Sequence, residues 1–279
     1  MLKKIIKYFI LPVAVIFVIN VIYFSFHVPN VGVITLNGII TPWKADEIIR
    51  QINEAKDDSS IKAVLIKIDS PGGEACSSQR IYLALKNLSK YKPTVALIKT
   101  IGASGAYFSA CGADKIVAYP TSTVGSIGVI FETLNFAKLS KRLGLSLFVV
   151  KTGPVKDVGN PFRKPTQADI KMLKNLIDSI YNQFLKAVSE SRKIKLSKVR
   201  KIADGSVFTG IQALKLKLVD SVGGVKAATQ YIKKLAKIKK IEYKYFSSES
   251  SLKRKFLDVF YMIDTLKILT RPTVKAIFQ

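Results

Sequence analysis

Short apolar segments alternate with helical segments between residues 31 and 120, and this alternation limits the possible folds more than any other feature of the sequence. Runs rich in β-branched residues and bounded by turn residues predict strands. Apolar residues spaced three or four positions apart, and one segment of small residues, predict helices. The predicted strands are 31–40, 61–69, 93–100 and 115–120, and the predicted helices are 45–58, 77–89 and 105–113. Such alternation favours an α/β fold with a largely parallel sheet.

After Val150 the pattern changes to a loop rich in glycine and proline, which spans 151–166. A long amphipathic helix follows at 166–192, with Thr166 and Asp169 as its expected capping box. A second helix is predicted from residue 196. Residues 205–224 are predicted to form a strand, a helix, a second strand and a turn. A basic helix is predicted at 226–240. No internal repeat is present in the sequence.

Residues 8–28 form a continuous apolar run with no side chain that is charged at neutral pH. About twenty such residues can cross the hydrocarbon core of a bilayer as one helix. Lys3, Lys4 and Lys7 precede the run, so the positive-inside rule predicts a single-pass cell-membrane protein with a cytoplasmic N-terminus and an extracytoplasmic remainder. A cleaved signal peptide is the alternative, but the run is long for one and its end lacks the small residues that signal peptidase needs. We therefore expect an uncleaved anchor.

The sequence thus divides into a cytoplasmic tip with the transmembrane anchor (1–28), a main domain (29–245) and a basic amphipathic tail (246–279). The tail begins as a serine-rich linker and continues as a candidate amphipathic helix. That helix could lie on the membrane, cover another subunit or complete the core. The sequence leaves these three alternatives open.

The formal net charge of +26 implies attraction to anionic surfaces. The lysines are dispersed and no nucleic-acid-binding motif accompanies them, so a lysine-rich surface near membrane lipid is favoured over nucleic-acid binding. The two cysteines, Cys76 and Cys111, are too few for a disulfide framework and lack metal-ligand spacing. They are interpreted as small buried thiols, with one optional disulfide as the alternative. No metal or other cofactor is predicted.

The single histidine of the chain, His27, lies within the apolar run. The domain that follows residue 28 therefore contains no histidine, which excludes Ser-His-Asp and Cys-His catalysis there. A nucleophilic serine would need another base, and a lysine amine is the known substitute. Such an amine can accept a proton only if desolvation lowers its pKa from about 10.4 toward neutrality.

Three segments hold the candidate chemistry. The first, Ile68–Gly73 (IDSPGG), ends a strand with two glycines that let the backbone turn sharply and expose its N–H groups. The second, Thr100–Tyr107 (TIGASGAY), places Ser104 among small residues where a strand leads into a helix, which suits an exposed nucleophile. The third, Gly153–Asp157 (GPVKD), carries Lys156. Taken singly, a tight turn, helix packing and a solvated surface lysine explain these segments better.

In combination and in this order, the motifs resemble signal peptide peptidase A (protease IV) in its short, single-copy form. The resemblance runs from about Val31 to Lys237 and includes SPGG, GASGAY, ADKIVAYPTSTVGSIGVI, KTGPVKD and ADGSVFTGIQALKLKLVDSVGG. It implies an α/β fold of the Clp-protease/crotonase superfamily with repeated ββα units, beside one N-terminal transmembrane helix. The Gly105–Tyr107 segment departs from the family's commoner Gly-Gly-Tyr, and residues 246–279 have no secure counterpart.

The resemblance implies roles for five residues. Ser104 would be the nucleophile, and Lys156 the general base that later protonates the leaving amine. The backbone N–H groups of Gly73 and Gly105 would form the oxyanion hole, and Ser126 would orient the lysine ammonium by a hydrogen bond. In short family members the serine and lysine of one site come from neighbouring subunits of an octameric ring, and the same homo-oligomer is expected here. The implied function is a membrane-anchored endopeptidase that degrades cleaved signal peptides and other hydrophobic membrane peptides.

Three other functions fit parts of the sequence. A crotonase-like acyl-CoA enzyme would use a similar oxyanion hole, but the anchor and the pairing of Ser104 with Lys156 argue against it. A related membrane protease with stomatin-like partners would share the fold and the dyad, so only substrate profiling separates the two. An inactive membrane scaffold should have lost the serine or the lysine, and both are present.

Overall fold

The structure, a computed structural model, describes residues 28–247, in which an eight-stranded sheet is covered by helices. The strands are β1 (Val31–Asn37), β2 (Ala63–Ser70), β3 (Thr94–Ala103), β4 (Lys115–Ala118), β5 (Thr123–Gly125), β6 (Val207–Thr209), β7 (Ser221–Val222) and β8 (Tyr243–Tyr245). The helices are α1 (Pro42–Asp57), α2 (Ala75–Leu88), α3 (Gly105–Ala110), α4 (Ala137–Arg142), α5 (Gln167–Arg192), α6 (Leu196–Ile202), α7 (Gly210–Lys215) and α8 (Gly224–Ala236). The strand order is β6-β5-β3-β2-β1-β8, with β4 paired to β3 and to β7, and the β5–β6 pair is antiparallel while the others are parallel.

The central strands are apolar along nearly their whole length because both faces of the sheet are covered. On one face, side chains such as Leu36 and Ile66 belong to a core that includes α1, α2 and α5. On the other face, Val33 and Leu65 pack in a second core that includes α8. Neighbouring residues thus alternate between the two cores, as the period of a strand requires. This arrangement fits a Clp-protease-like α/β fold.

The strands and helices predicted for residues 31–120 are confirmed, as is the long helix with its capping box of Thr166 and Asp169. Three short elements, β5, β8 and α4, were not predicted from the sequence. Strand β3 was predicted to end at residue 100, but it continues to Ala103 because Ile101–Ala103 pair with β5. Each miss involves long-range pairing or a very short segment, neither of which produces a local pattern.

The end of α5 is fixed to the sheet by Asp220, which directly precedes β7. Its carboxylate accepts hydrogen bonds from Arg192 Nη1 (2.8 Å), Lys115 Nζ (2.9 Å) and the backbone N–H of Ile116 (2.8 Å). Burial alone would raise the pKa of Asp220, but the hydrogen bond and charge of Arg192 outweigh burial and keep this pKa below its usual value. The network therefore holds in place the helix that forms one wall of the candidate site.

The two cysteines are free and occupy different environments. Cys111 is buried, and burial raises the pKa of its thiol to about 12. Cys76 lies near the start of α2 and is exposed. The prediction of a buried thiol is therefore confirmed for Cys111 and wrong for Cys76.

The expected anchor within 1–28 and the tail at 246–279 fall almost entirely outside the described residues. None of the helices between residues 28 and 247 combines the length and the apolar character needed to cross a bilayer. The division of the chain at these two boundaries thus stays a prediction.

Candidate active site

Ser104 occupies a strained turn between β3 and α3. Its backbone has φ 52° and ψ −126°, a conformation that residues with a Cβ rarely adopt. The turn is held from both sides, because Ser104 N–H donates to Gly125 O (2.8 Å) and Ser104 O accepts from Phe108 N–H (2.9 Å). Strain of this kind persists only where the surroundings impose it, and here it places the serine side chain, partly exposed, at the edge of a cavity.

The SPGG turn after β2 packs directly against the serine turn. Gly72 has φ 102°, and a Cβ added to it would lie 2.7 Å from Gly105 N and 2.9 Å from Ser104 Cβ. A Cβ on Gly73 would lie 2.2 Å from the carbonyl oxygen of Ile40. The two glycines are therefore required by close backbone approach on both sides of the turn.

The amides of Gly73 and Gly105 lie beside each other and have no acceptor among residues 28–247. The Cβ position of Gly105 is 3.4 Å from Gly73 N and only 2.1 Å from Ser78 Oγ on α2, so helix α2 leaves no room for a side chain at Gly105. Two unpaired N–H donors next to a serine can stabilise the negative oxygen that develops when a carbonyl is attacked.

Ser126 reaches the same site from the end of β5. Its φ is 50°, and its N–H donates to Ser206 O at 2.7 Å. Since the preceding residue, Gly125, accepts the hydrogen bond from Ser104 N–H, strand β5 brings Ser126 next to the serine turn. The structure therefore gathers four of the five predicted site residues around one cavity.

That cavity has a volume of about 710 Å³. Its lining residues come from the two glycine turns, from the segment after β5, from α5 and from the segment after α6: Gly73, Glu74, Ala75, Ser78, Ser104, Gly105, Phe108, Ser126, Gly128, Val129, Ile130, Ile177, Asp178, Ile180, Tyr181, Phe184, Ala203, Asp204 and Gly205. The wall is largely apolar. It carries three carboxylates and, among the residues described, no lysine or arginine.

The three carboxylates were not predicted from the sequence. The carboxylate of Glu74 caps α2 by accepting Cys76 N–H (3.0 Å) and Ser77 N–H (2.7 Å), bonds that outweigh partial burial and lower its pKa. The pKa of Asp204 is also lowered, by its hydrogen bonds with Ser206. Asp178 on α5 has no hydrogen-bond or ion-pair partner among residues 28–247. Only the amphipathic pattern of α5 signalled this wall, and it does not distinguish a cavity from a core.

Lys156 does not line this cavity. It is exposed within a turn, where its N–H donates to Gly153 O at 3.3 Å. Among residues 28–247 its ammonium group has no hydrogen-bond or ion-pair partner. One chain alone therefore presents the serine, both amides and Ser126 without the predicted base, and the assignment of Lys156 to a neighbouring subunit's site stays a prediction.

Comparisons with known proteins identify the family. The sequence model of Peptidase family S49 matches residues 86–239. A protein of Methanocaldococcus jannaschii, named as a candidate protease, is 35% identical over 86% of this chain and 75% of its own length. A candidate signal peptide peptidase SppA of Enterococcus faecium is 34% identical over 70% of this chain and 58% of its own length. Protease 4 of Haemophilus influenzae is 33% identical over 75% of this chain and 35% of its own length.

The chain therefore belongs to Peptidase family S49, and it is a serine protease. Within that class it is a member of the signal peptide peptidase A family, as its motifs predicted. It spans less than two thirds of the Enterococcus and Haemophilus relatives.

Replacement of Gly72 tests the contact between the two turns. Gly72→Ala should lower kcat at least about 100-fold, because its Cβ would displace Gly105 N and Ser104. Gly38→Ala is the matched control, since Gly38 also has a positive φ (73°) but an added Cβ would meet nothing within 4 Å. Gly38→Ala should lose about 1–3 kcal/mol of unfolding free energy from backbone strain, and Gly72→Ala at least as much because of its added steric clash, both measured by denaturant titration. Equal kcat values for the two variants would contradict a role in catalysis for the contact between the two turns.

Proposed function

We propose that this protein is a membrane-anchored endopeptidase that degrades signal peptides and other hydrophobic membrane peptides with a serine–lysine dyad. The observation that carries this proposal is the strained Ser104 beside the unpaired amides of Gly73 and Gly105. A serine protease without histidine in its domain needs a different base, and Lys156 supplies the amine.

The reaction begins when the neutral amine of Lys156 accepts the hydroxyl proton of Ser104, whose Oγ attacks the peptide carbonyl carbon. The N–H groups of Gly73 and Gly105 hold the resulting oxyanion. The tetrahedral intermediate collapses, the C–N bond breaks, and the lysine ammonium returns its proton to the leaving amine. Water then hydrolyses the acyl-enzyme with the same base. Ser126 accepts a hydrogen bond from the ammonium and orients it.

A neighbouring subunit is the proposed source of the lysine. Lys156 is exposed and lies outside the cavity of its own chain, on a segment that exposes many large apolar side chains. Phe148 and Val150 of this segment are 90% and 84% exposed, and Ile130, at the edge of the cavity, is 83% exposed. Large exposed apolar side chains of this kind mark protein interfaces where they form a continuous surface. A second copy of the chain that covers this surface, as in the octameric ring implied by the family resemblance, would bring a lysine to each serine.

The cavity supports the proposed substrate class. Signal peptides combine a basic end with an apolar stretch of 7–15 residues. In a chain of net charge +26, the cavity beside Ser104 has an apolar wall and three carboxylates, and its described lining has no basic residue. Apolar substrate side chains can pack against the wall, and a substrate lysine or arginine can pair with the carboxylates.

The membrane anchor is supported by sequence alone. The apolar run at residues 8–28 lies almost wholly outside the described residues, and the three lysines before it orient the catalytic domain away from the cytoplasm.

The dyad and its assembly are tested together by complementation. Ser104→Ala and Lys156→Ala should each abolish peptide cleavage without dissociating the oligomer. Co-expression of the two inactive chains should restore about a quarter of wild-type activity, because random assortment around a ring pairs an intact serine with an intact lysine at that frequency. Full activity of Lys156→Ala would refute the lysine base. Mixed oligomers without any recovered activity would refute shared sites.

The charge of the cavity is tested with two apolar peptides that differ only by lysine or norleucine at one position. Asp178→Asn should lower kcat/KM for the lysine peptide about fivefold and leave the norleucine peptide unchanged, because only the first loses an ionic partner. Asp57→Asn, at the exposed end of α1, is the control for the change in net charge. Equal effects of Asp178→Asn on both peptides would rule out charge recognition.

The anchor is tested by deleting residues 1–28. Full-length protein should sediment with membranes, resist alkaline carbonate and dissolve in detergent, since an apolar helix holds it in the bilayer. The shortened protein should appear in the soluble fraction. Recovery of the full-length protein in that same fraction would refute the anchor.

A further inference from the structure

Asp157, the residue that follows Lys156, is the acceptor of an unusually complete set of hydrogen bonds. Arg163 donates to both carboxylate oxygens, from Nη2 to Oδ1 (2.8 Å) and from Nε to Oδ2 (2.8 Å). Lys151 Nζ donates to Oδ1 at 2.6 Å. Arg163 Nη2 also donates to the backbone carbonyl oxygen of Asp157 at 3.2 Å. Both the side chain and the backbone of Asp157 are therefore fixed by one guanidinium group.

The same guanidinium binds a second carboxylate at the start of α5. Arg163 Nη2 donates to Asp169 Oδ1 at 3.0 Å, and Nη1 donates to Asp169 Oδ2. Asp169 in turn accepts the N–H of Thr166 (2.8 Å) in the capping box of α5. The turn that carries Lys156 is thus tied to the helix that contributes Ile177 and Tyr181 to the cavity wall.

Burial and charge make this arrangement stronger than a surface ion pair. The side chains of Asp157 and Asp169 are 14% and 1% exposed, and that of Arg163 is 25% exposed. The hydrogen bonds from Arg163 lower the pKa of both carboxyl groups, and those carboxylates raise the pKa of Arg163. Bidentate pairing of a planar guanidinium with carboxylates also fixes orientation, which a lysine cannot do.

We propose that Asp157, Arg163 and Asp169 form an ionic clamp that positions Lys156 for catalysis. Consecutive Cα atoms are 3.8 Å apart, so immobilising the side chain and carbonyl of Asp157 also fixes the backbone from which Lys156 projects. The Lys156 ammonium itself contacts no charged or hydrogen-bonding partner among residues 28–247. The clamp therefore holds the turn while the amine stays free to reach a serine. This inference rests on the proposed role of Lys156 as the base.

A double-mutant cycle separates positioning from a purely structural role. Arg163→Met would be introduced into the full-length oligomer in both the wild-type and the Lys156→Ala backgrounds. The substrate would be an activated p-nitrophenyl ester, so that the residual rate without the lysine is measurable. In the wild-type background, Arg163→Met should lower kcat about 10- to 100-fold with KM changed less than twofold, because a displaced amine transfers protons poorly. In the Lys156→Ala background the same substitution should change the residual rate less than twofold.

Three further variants complete the test. Asp157→Asn, which keeps the shape of the side chain, should lower kcat in the same way, and Arg163→Lys should recover part of the loss. Lys86→Met breaks the exposed Lys86–Glu190 pair (2.9 Å) and should leave kcat unchanged.

Each contrary result has a distinct meaning. Equal losses in both backgrounds would show that the network only stabilises the fold, and dissociation of both clamp variants would show that it acts on assembly; either overturns the proposal. An unchanged kcat for Arg163→Met, with only the residual rate left in Lys156→Ala, overturns the clamp alone. A fully active Lys156→Ala removes the dyad and the clamp with it.

Discussion

The rest of the structure depends on the close approach of two backbone turns at the carboxyl ends of β2 and β3. Parallel pairing brings these strand ends side by side, and a register shift between Ile68 and Ser70 sets Ser70 opposite Gly102. Only glycine allows the turns to come within van der Waals contact, as the 2.7 Å separation between the Gly72 Cβ position and Gly105 N shows. That approach sets the strained serine beside the amides of Gly73 and Gly105, which have no acceptor among residues 28–247.

The two glycine-rich turns and the serine in the second of them could be predicted from the sequence because their signals are local. The glycines of SPGG and GASGAY, the serine between small residues and the absence of histidine after residue 28 lie within short windows. The carboxylate wall could not be predicted, because Glu74, Asp178 and Asp204 are far apart in sequence and meet only through the packing of α5. The salt bridges of Arg163 with Asp157 and Asp169 were not predicted either, because one arginine among many lysines carries no local sequence signal for a buried ion pair.

The candidate site differs in charge from the chain as a whole. Forty-five basic residues give the chain its net charge of +26, yet the described cavity lining contains acidic residues alone among those that are charged. Within the segment that bears Lys156, the positive charges of Lys151 and Arg163 are matched by Asp157 and Asp169. The proposed base, Lys156, therefore lies in a segment whose other charges are locally balanced.

The direction of the parallel strands has a consequence for how substrates arrive. The chain enters the sheet at Val31, at the amino-terminal edge, whereas Ser104 follows β3 at the opposite edge. Ten residues of extended strand span about 33 Å. An enzyme tethered through the residues just before Val31 would thus hold its nucleophile a strand's length away from the tether. Its substrates would then be peptide segments that extend this far from the point of attachment.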